Sequence, residues 1–213
     1  FQAHAAIRDS VASRGLGDVY KRQATFLATA LGTVAALGLS RPNMPFKGTI
    51  MAVLISPMIV PLIITSAGMF FFYSKIGLTH TYLGLILAHT ALGTPFVVIT
   101  VTATLTGFDT NLIRASQSLG ADTMRTFFKV IMPLILPGVI SGALFAFITS
   151  FDEVVVVMFV GSVEQITIPK QMWAGLRQET SPVILCMATC LVALSIALLT
   201  TVELLRRRSE RLR

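Results

Sequence analysis

Charged residues are scarce in this chain of 213 residues: they make up 13%, about half of what a soluble domain carries. There are only two cysteines and one tryptophan. The sequence also has no Walker A pattern, no His-Glu-x-x-His pattern and no cluster of cysteine with histidine. These absences argue against a nucleotide-hydrolysing enzyme and against a zinc site. They predict a chain that needs no cofactor or metal and performs no covalent chemistry.

Long apolar segments are what the chain has instead. Hydrophobic residues make up 54% of it, and its mean hydropathy is +0.78. Crossing a bilayer takes roughly 20 apolar residues. Four segments reach or approach that length, and a fifth is shorter: 49–72, 82–105, 134–160, 183–205 and, as the short one, 24–40. The sequence therefore predicts an all-α, polytopic transmembrane helical bundle with five visible spans.

The predicted spans contain helix-bending and close-packing residues. We predict kinks at Pro57, Pro61 and Pro95, because proline removes a backbone donor. Such bends suit a pathway that opens alternately, although ordinary membrane-helix curvature explains any one of them equally well. Small residues recur every fourth position, at Ala28, Gly32 and Ala36 and at Gly138, Gly142, Ala146 and Ser150. This spacing lets helices approach closely, either within the chain or against a partner.

Basic residues are distributed unevenly between the loops. If the C-terminus is placed in the cytoplasm, ten basic residues fall in inner loops and three in outer ones. Because cytoplasmic loops attract lysine and arginine, this bias predicts a cytoplasmic C-terminus. The basic tail, 209–213, is then expected to contact anionic membrane lipid and not nucleic acid.

A polar stretch, 112–137, separates two of the apolar segments and reads as two short helices. Thr110 or Asn111 is predicted to cap the first helix, Gly120 to end it in a left-handed conformation, and Asp122 to cap the second. The second helix is predicted to present one apolar face, formed by Met124, Phe127, Phe128 and Ile131.

This stretch resembles the signature loop of permease subunits in binding-protein-dependent ABC importers. That signature is Glu-Ala-Ala, three residues, Gly, nine residues and Ile-x-Leu-Pro. The matching positions are Arg114-Ala115-Ser116, Gly120 and Val130-Ile131-Met132-Pro133, with arginine and serine replacing the glutamate and the second alanine. The resemblance implies a coupling helix that docks on a pair of ATP-binding subunits, a second permease subunit and a periplasmic solute-binding protein. The expected ATPase contacts are Arg114, Ala115, Ser116, Leu119, Gly120, Phe127 and Pro133.

Two acidic residues, Asp152 and Glu153, interrupt an apolar run. A carboxylate inside a span is costly and usually faces a cavity or a partner, so we predict that these residues lie on the translocation path and attract a cation. Adjacent helical residues point about 100° apart, so we expect only one of the two to face the path. The alternative is that the helix ends near Ser150 and both acids lie in water.

The sequence SFDE at 150–153, together with the later TIPKQMWAGLRQETSP, resembles the spermidine/putrescine subclass of these permeases. This resemblance covers 24–208, which we take as the permease domain of a bacterial inner-membrane importer. A polyamine such as spermidine or putrescine is then the expected solute. Alternatives are an importer of ferric ion, an inorganic anion or an amino-acid-like compound, a secondary transporter, or a membrane scaffold that transports nothing.

The first 23 residues fit poorly with the rest of the chain. There is no initiator methionine, and the basic residues of 8–23 lie on the predicted outer side. The string GLGDVYKRQ also looks like a translated sequencing adapter. We therefore expect 1–23 to be non-native. Related permeases have six spans, so a missing first span would leave the five seen here.

Overall fold

The computed structural model describes residues 2–41, 43–109, 111–178 and 182–211. Position 110, positions 179–181 of the predicted outer loop and the last two residues of the tail lie outside this part. The described residues form ten α-helices and one π-helical turn, and they contain no strand. The elements are α1 (Gln2–Leu39), α2 (Lys47–Ile59), α3 (Leu62–Ile76), α4 (Tyr82–Thr106), α5 (Asn111–Ser118), α6 (Thr123–Thr126), the π-turn (Phe127–Ile131), α7 (Met132–Asp152), α8 (Val155–Val160), α9 (Ile168–Gln178) and α10 (Pro182–Arg211).

Fewer helices than predicted have the length and hydropathy of a membrane span. Among the described residues, α4 and the continuous helix Thr123–Asp152 qualify, and the bent pair of α2 and α3 counts as a third if it is one span. The predicted spans 24–40 and 183–205 are helical and lie within α1 and α10. In α10 the apolar part is Ala188–Thr201. Length and composition thus support two or three of the five predicted spans.

The predicted span at 49–72 is broken in the middle. The chain bends by 104° between α2 and α3, at Val60 and Pro61. Val60 is extended (ψ 134°), as expected of a residue that precedes proline. Pro57 lies inside α2 and Pro95 inside α4, and both helices continue past their proline. Kinks at those two positions stay predictions.

Helix α4 lies at the centre and packs against both α1 and α7. Their contact is close because the facing residues are small: a Cβ on Gly93 would lie 3.2 Å from Ala28 Cβ and 3.0 Å from Ala146 Cβ. Both small-residue series therefore pack within the chain, which answers the question that the sequence left open. The buried side chains of this cluster are Ala28, Ala36, Val97, Val101, Ile135, Val139 and Ala146.

A second apolar cluster holds the short helix α8 against α3 and α4. Val156, Val157 and Val160 of α8 are fully buried, beside Leu85 and Ala88 of α4. The predicted span 134–160 is therefore two helices, because the chain leaves α7 at Asp152 and re-enters the bundle as α8.

Candidate functional site

The first helix of the predicted coupling loop, α5, begins at Asn111. The backbone N–H of Asn111 donates to Asp109 Oδ1 at 2.9 Å. The side chain that satisfies this helix start is therefore that of Asp109, and the prediction of Asn111 as the cap was wrong because Asn111 is already helical. The other predicted cap, Thr110, lies outside the described residues.

The turn after α5 is built on Gly120. Its φ is +82°, in the left-handed region that favours glycine. The N–H of Gly120 donates to Gln117 O at 2.9 Å, and the N–H of Ala121 donates to Ser116 O at 3.1 Å. This pair of bonds is the Schellman motif, which satisfies the last carbonyls of a helix. The predicted left-handed end at Gly120 is confirmed.

Asp122 starts the next helix, as predicted: its carboxylate accepts the N–H of Arg125 at 2.9 Å. This helix is not the separate short element that we expected. It passes through the π-turn Phe127–Ile131 directly into α7 and forms one helix, Thr123–Asp152. Pro133 comes after the π-turn; it has no N–H to donate, and its ring crowds the carbonyl one turn back, which favours a locally widened helix.

Burial is uneven where the loop joins the helix Thr123–Asp152. Thr126 is buried, at 2% exposed, whereas Met124 and Phe128 are 63% and 58% exposed. Met124 and Phe128, two members of the predicted apolar face, are therefore exposed, and Thr126 is the buried residue here; one face shared by all four apolar residues stays a prediction. Thr126 Oγ1 lies 2.8 Å from Ser116 Oγ of α5. Sequence reasoning missed this contact; the serine that replaces a signature alanine was the only hint.

Asp152 and Glu153 have different surroundings at the end of α7. Asp152 is the last residue of the helix and is exposed. Glu153 is extended (ψ 124°) and 6% exposed, and its Oε1 accepts the N–H of Val156 at 2.8 Å. The alternative in which the helix ends near Ser150 and both acids lie in water is wrong, because α7 reaches Asp152 and Glu153 is buried; a place for one of the acids on the translocation path stays a prediction. The carboxylate of Glu153 ends one helix and starts the next.

A buried polar pair anchors this helix end to α4. His89 Nδ1 lies 2.9 Å from Ser150 Oγ, and both side chains are buried. Ser150 precedes Asp152 by two residues, so the pair fixes the end of α7 against α4. The site therefore consists of an exposed loop at one end of the helix Thr123–Asp152 and an exposed carboxylate at its other end.

Comparison with known proteins identifies the family. Residues 28–211 match the model of the family described as binding-protein-dependent transport system inner membrane component. The chain is 31% identical over 187 residues to the spermidine/putrescine transport system permease protein PotC of Haemophilus influenzae, covering 88% of this chain and 73% of that protein. This chain belongs to that family of permeases.

Other relatives agree with this assignment. PotC of Escherichia coli K12 is 30% identical to the permease over 184 residues, which cover 86% of this chain and 69% of that protein. The putrescine transport system permease protein PotI of the same organism is 29% identical over 175 residues, which cover 78% and 61%. The segment 1–23 lies outside the family match.

Solved structures support the fold of the permease. An inward-facing MetNI methionine ABC transporter superposes with a TM-score of 0.65 at 21% identity, covering 94% of this chain and 97% of that one. An amino acid ABC transporter solved with histidines gives a TM-score of 0.66 at 14% identity, covering 97% of each chain. These structures support the fold alone. The family match makes the permease a multi-pass inner membrane protein and a transport subunit, not an enzyme.

Five of the seven predicted ATPase contacts of the permease are exposed and two are half-buried. Leu119 is 89% exposed. Ser116 and Phe127 are half-buried and contact the rest of the loop, and the exposed members are Arg114, Ala115, Leu119, Gly120 and Pro133. The loop thus presents a large apolar side chain at its tip, which suits docking on another protein.

The loop between α8 and α9 is held by a lysine. Lys170 Nζ donates to Ser162 O at 2.8 Å and to Gln165 O at 3.3 Å, and burial lowers the pKa of this ammonium. Gln165 Oε1 accepts the N–H of Ser162 at 2.8 Å. These bonds present Val163, 90% exposed, at the tip of an ordered loop.

We expect Glu153→Ala to loosen the start of α8. Loss of a side chain that caps a helix start costs about 1 kcal/mol, so the amide of Val156 should exchange its hydrogen faster in the variant. Glu153→Gln keeps an oxygen that accepts this N–H and should exchange nearly as slowly as the unmodified permease. The matched control is Glu164→Ala, which removes an exposed acid from the next loop. Equal exchange rates in all four proteins would show that the cap contributes nothing.

Proposed function

We propose that this permease lines the path by which an ATP-driven importer carries a polyamine, such as spermidine or putrescine, across the bacterial inner membrane. The observation that carries the proposal is the exposed carboxylate of Asp152 at the break between α7 and α8. A carboxylate placed there attracts ammonium groups, and a low-dielectric surround strengthens that attraction. The relatives named as spermidine/putrescine permeases support the same solute class.

The partners are inferred from the family. Membership implies a solute-binding protein, an ATPase and a second permease subunit. We infer that the loop 111–131 docks on the ATP-binding subunit pair and that the C-terminus is cytoplasmic, with the tail 209–213 near anionic lipid. The ordered loop with Val163 at its tip then lies on the periplasmic side, where it can meet the solute-binding protein. We also infer that 24–208 is the permease domain and that 1–23 is non-native.

Uptake by reconstituted vesicles tests the proposal. The full-length permease, its neighbouring permease and ATPase and the matching binding protein are assembled in liposomes and given radiolabelled spermidine, with and without ATP. We expect ATP-dependent uptake that putrescine inhibits and that phosphate, ferric ion and amino acids do not. Uptake driven by an ion gradient without ATP would instead identify a secondary transporter, and ATP-dependent uptake of another solute would overturn the polyamine assignment.

We expect Asp152→Asn to lower spermidine uptake about tenfold, which corresponds to about 1.4 kcal/mol. This is about a third of the roughly 4 kcal/mol that two charges 4 Å apart gain at an effective dielectric constant of 20. The matched control is Glu164→Gln, which removes another exposed acid, one that we do not assign to the path. If Asp152→Asn takes up spermidine as fast as the unmodified permease at equal protein level, Asp152 does not lie on the path.

A further inference from the structure

Ser116 makes a contact that the signature alanine at its position has no hydroxyl to make. Its Oγ lies 2.8 Å from Thr126 Oγ1. Within the described part of the chain, this is the one side-chain hydrogen bond between α5 and the helix Thr123–Asp152. Thr126 is 2% exposed, so water does not compete for its hydroxyl. The bond therefore fixes how α5 is seated on the base of that helix.

Thr126 lies near the start of a long continuous helix. The helix Thr123–Asp152 runs from the coupling loop to the exposed carboxylate of Asp152. Twenty-six residues separate Thr126 from Asp152, which corresponds to roughly 39 Å at 1.5 Å per residue. A displacement applied at Thr126 is thus carried by a single element to the end that we assign to the translocation path.

The π-turn begins immediately after Thr126. Met132 donates to Phe127 O, five residues back, instead of to the residue four back. Single π-turns inside α-helices are frequent at functional sites. The hydroxyl pair lies on the loop side of this π-turn.

We propose that the hydrogen bond between Ser116 and Thr126 is the joint through which α5 moves the helix Thr123–Asp152, so that both are positioning residues for coupling. The inference rests on the proposed function, in which α5 docks on the ATPase. If this hydrogen bond is lost, α5 still docks on the ATPase, but its movement no longer moves the helix Thr123–Asp152. Loss of the bond then lowers the solute carried per ATP hydrolysed, and not the binding of the ATPase.

The test uses Ser116→Ala, Thr126→Val and the double variant in the complete reconstituted importer. We expect Thr126→Val, which changes a buried residue outside the predicted ATPase contacts, to retain the ATPase on co-purification. Each single variant should carry about fivefold less spermidine per ATP, the effect of losing one net hydrogen bond of about 1 kcal/mol. The double variant should be no worse than the worse single variant, because both remove the same contact. Ser116→Thr, which keeps a hydroxyl, should retain the coupling ratio.

The matched control is Ser118→Ala. Ser118 is an exposed serine on the same helix whose hydroxyl donates only to the carbonyl of Arg114, at 3.0 Å. If Thr126→Val does not fold, the comparison of Ser116→Ala with Ser118→Ala decides alone. An unchanged ratio of spermidine to ATP in Ser116→Ala, or fully additive losses in the double variant, would overturn this inference. Failure of the unmodified permease to bind the ATPase would instead overturn the proposed function.

Discussion

Replacing Gly120 by valine should reduce spermidine uptake about tenfold or more while the permease remains inserted in the membrane. A left-handed conformation costs an ordinary L-residue roughly 1–2 kcal/mol, and a β-branched side chain pays more. Nothing lies within 4 Å of a Cβ built on Gly120, so the cost comes from the backbone and not from a clash. The variant relieves this strain by opening the Schellman turn, which reorients α5.

The measurement for Gly120→Val is ATPase co-purification together with uptake, both normalised to the amount of inserted permease. The matched control is Gly77→Val: Gly77 has φ +70°, also has open space around it, and ends α3 at the opposite end of α4 from the coupling loop. The Gly77→Val variant has the same kind of backbone strain but should still bind the ATPase. Gly120→Asn should retain most uptake, because asparagine tolerates the left-handed region. Normal uptake in Gly120→Val would contradict the coupling role.

Gly142→Leu should destabilise the packing of the three-helix core. A Cβ on Gly142 would lie 2.5 Å from Thr100 Oγ1 and 2.8 Å from Val97 Cα, and the second of these is backbone that has no room to yield. Overpacking of this kind costs roughly 1–3 kcal/mol and sometimes more. Because α4 and α7 are held by close approach, separating them also removes the contacts along the rest of the interface.

Thermal unfolding of the detergent-solubilised permease measures the Gly142→Leu effect. A loss of 1–3 kcal/mol lowers the Tm by about 2–4 °C for each kcal/mol in a chain of this size, and the yield of monodisperse protein should fall with it. The matched control is Gly68→Leu on α3, where the glycine is exposed and a Cβ meets nothing within 4 Å. If both variants unfold at the temperature of the unmodified permease, the interface is more adaptable than its distances indicate.

The parts of the site that obey local rules could be predicted from sequence. Gly120 and Asp122 are examples, because a left-handed end and an N-cap depend on residues within a few positions of each other. The burial of Thr126 could not be predicted in this way. It involves a partner ten residues away on another helix, Ser116, and the apolar spacing of the segment gave no sign of that contact.

Asp152 and Glu153 show a different limit of prediction from the sequence. The apolar run continues from Val154 to Val160, so hydropathy gives no sign that α7 ends at Asp152. The helix ends because the carboxylate of Glu153 accepts the N–H of Val156 and Glu153 itself turns extended. Here a side-chain oxygen takes a backbone N–H that would otherwise bond within the helix. An average of hydropathy over a window of residues does not detect this effect.

The central position of α4 has a consequence for biogenesis. Ala28 of α1 and Ala146 of α7 meet the same residue, Gly93, from two sides. The α1–α4 pair is complete before the ribosome reaches α7, so it can assemble first and leave a groove at Gly93 that receives α7 as it emerges. For these three helices the order of synthesis and the order of packing then coincide, and α1 and α4 do not have to separate to admit α7.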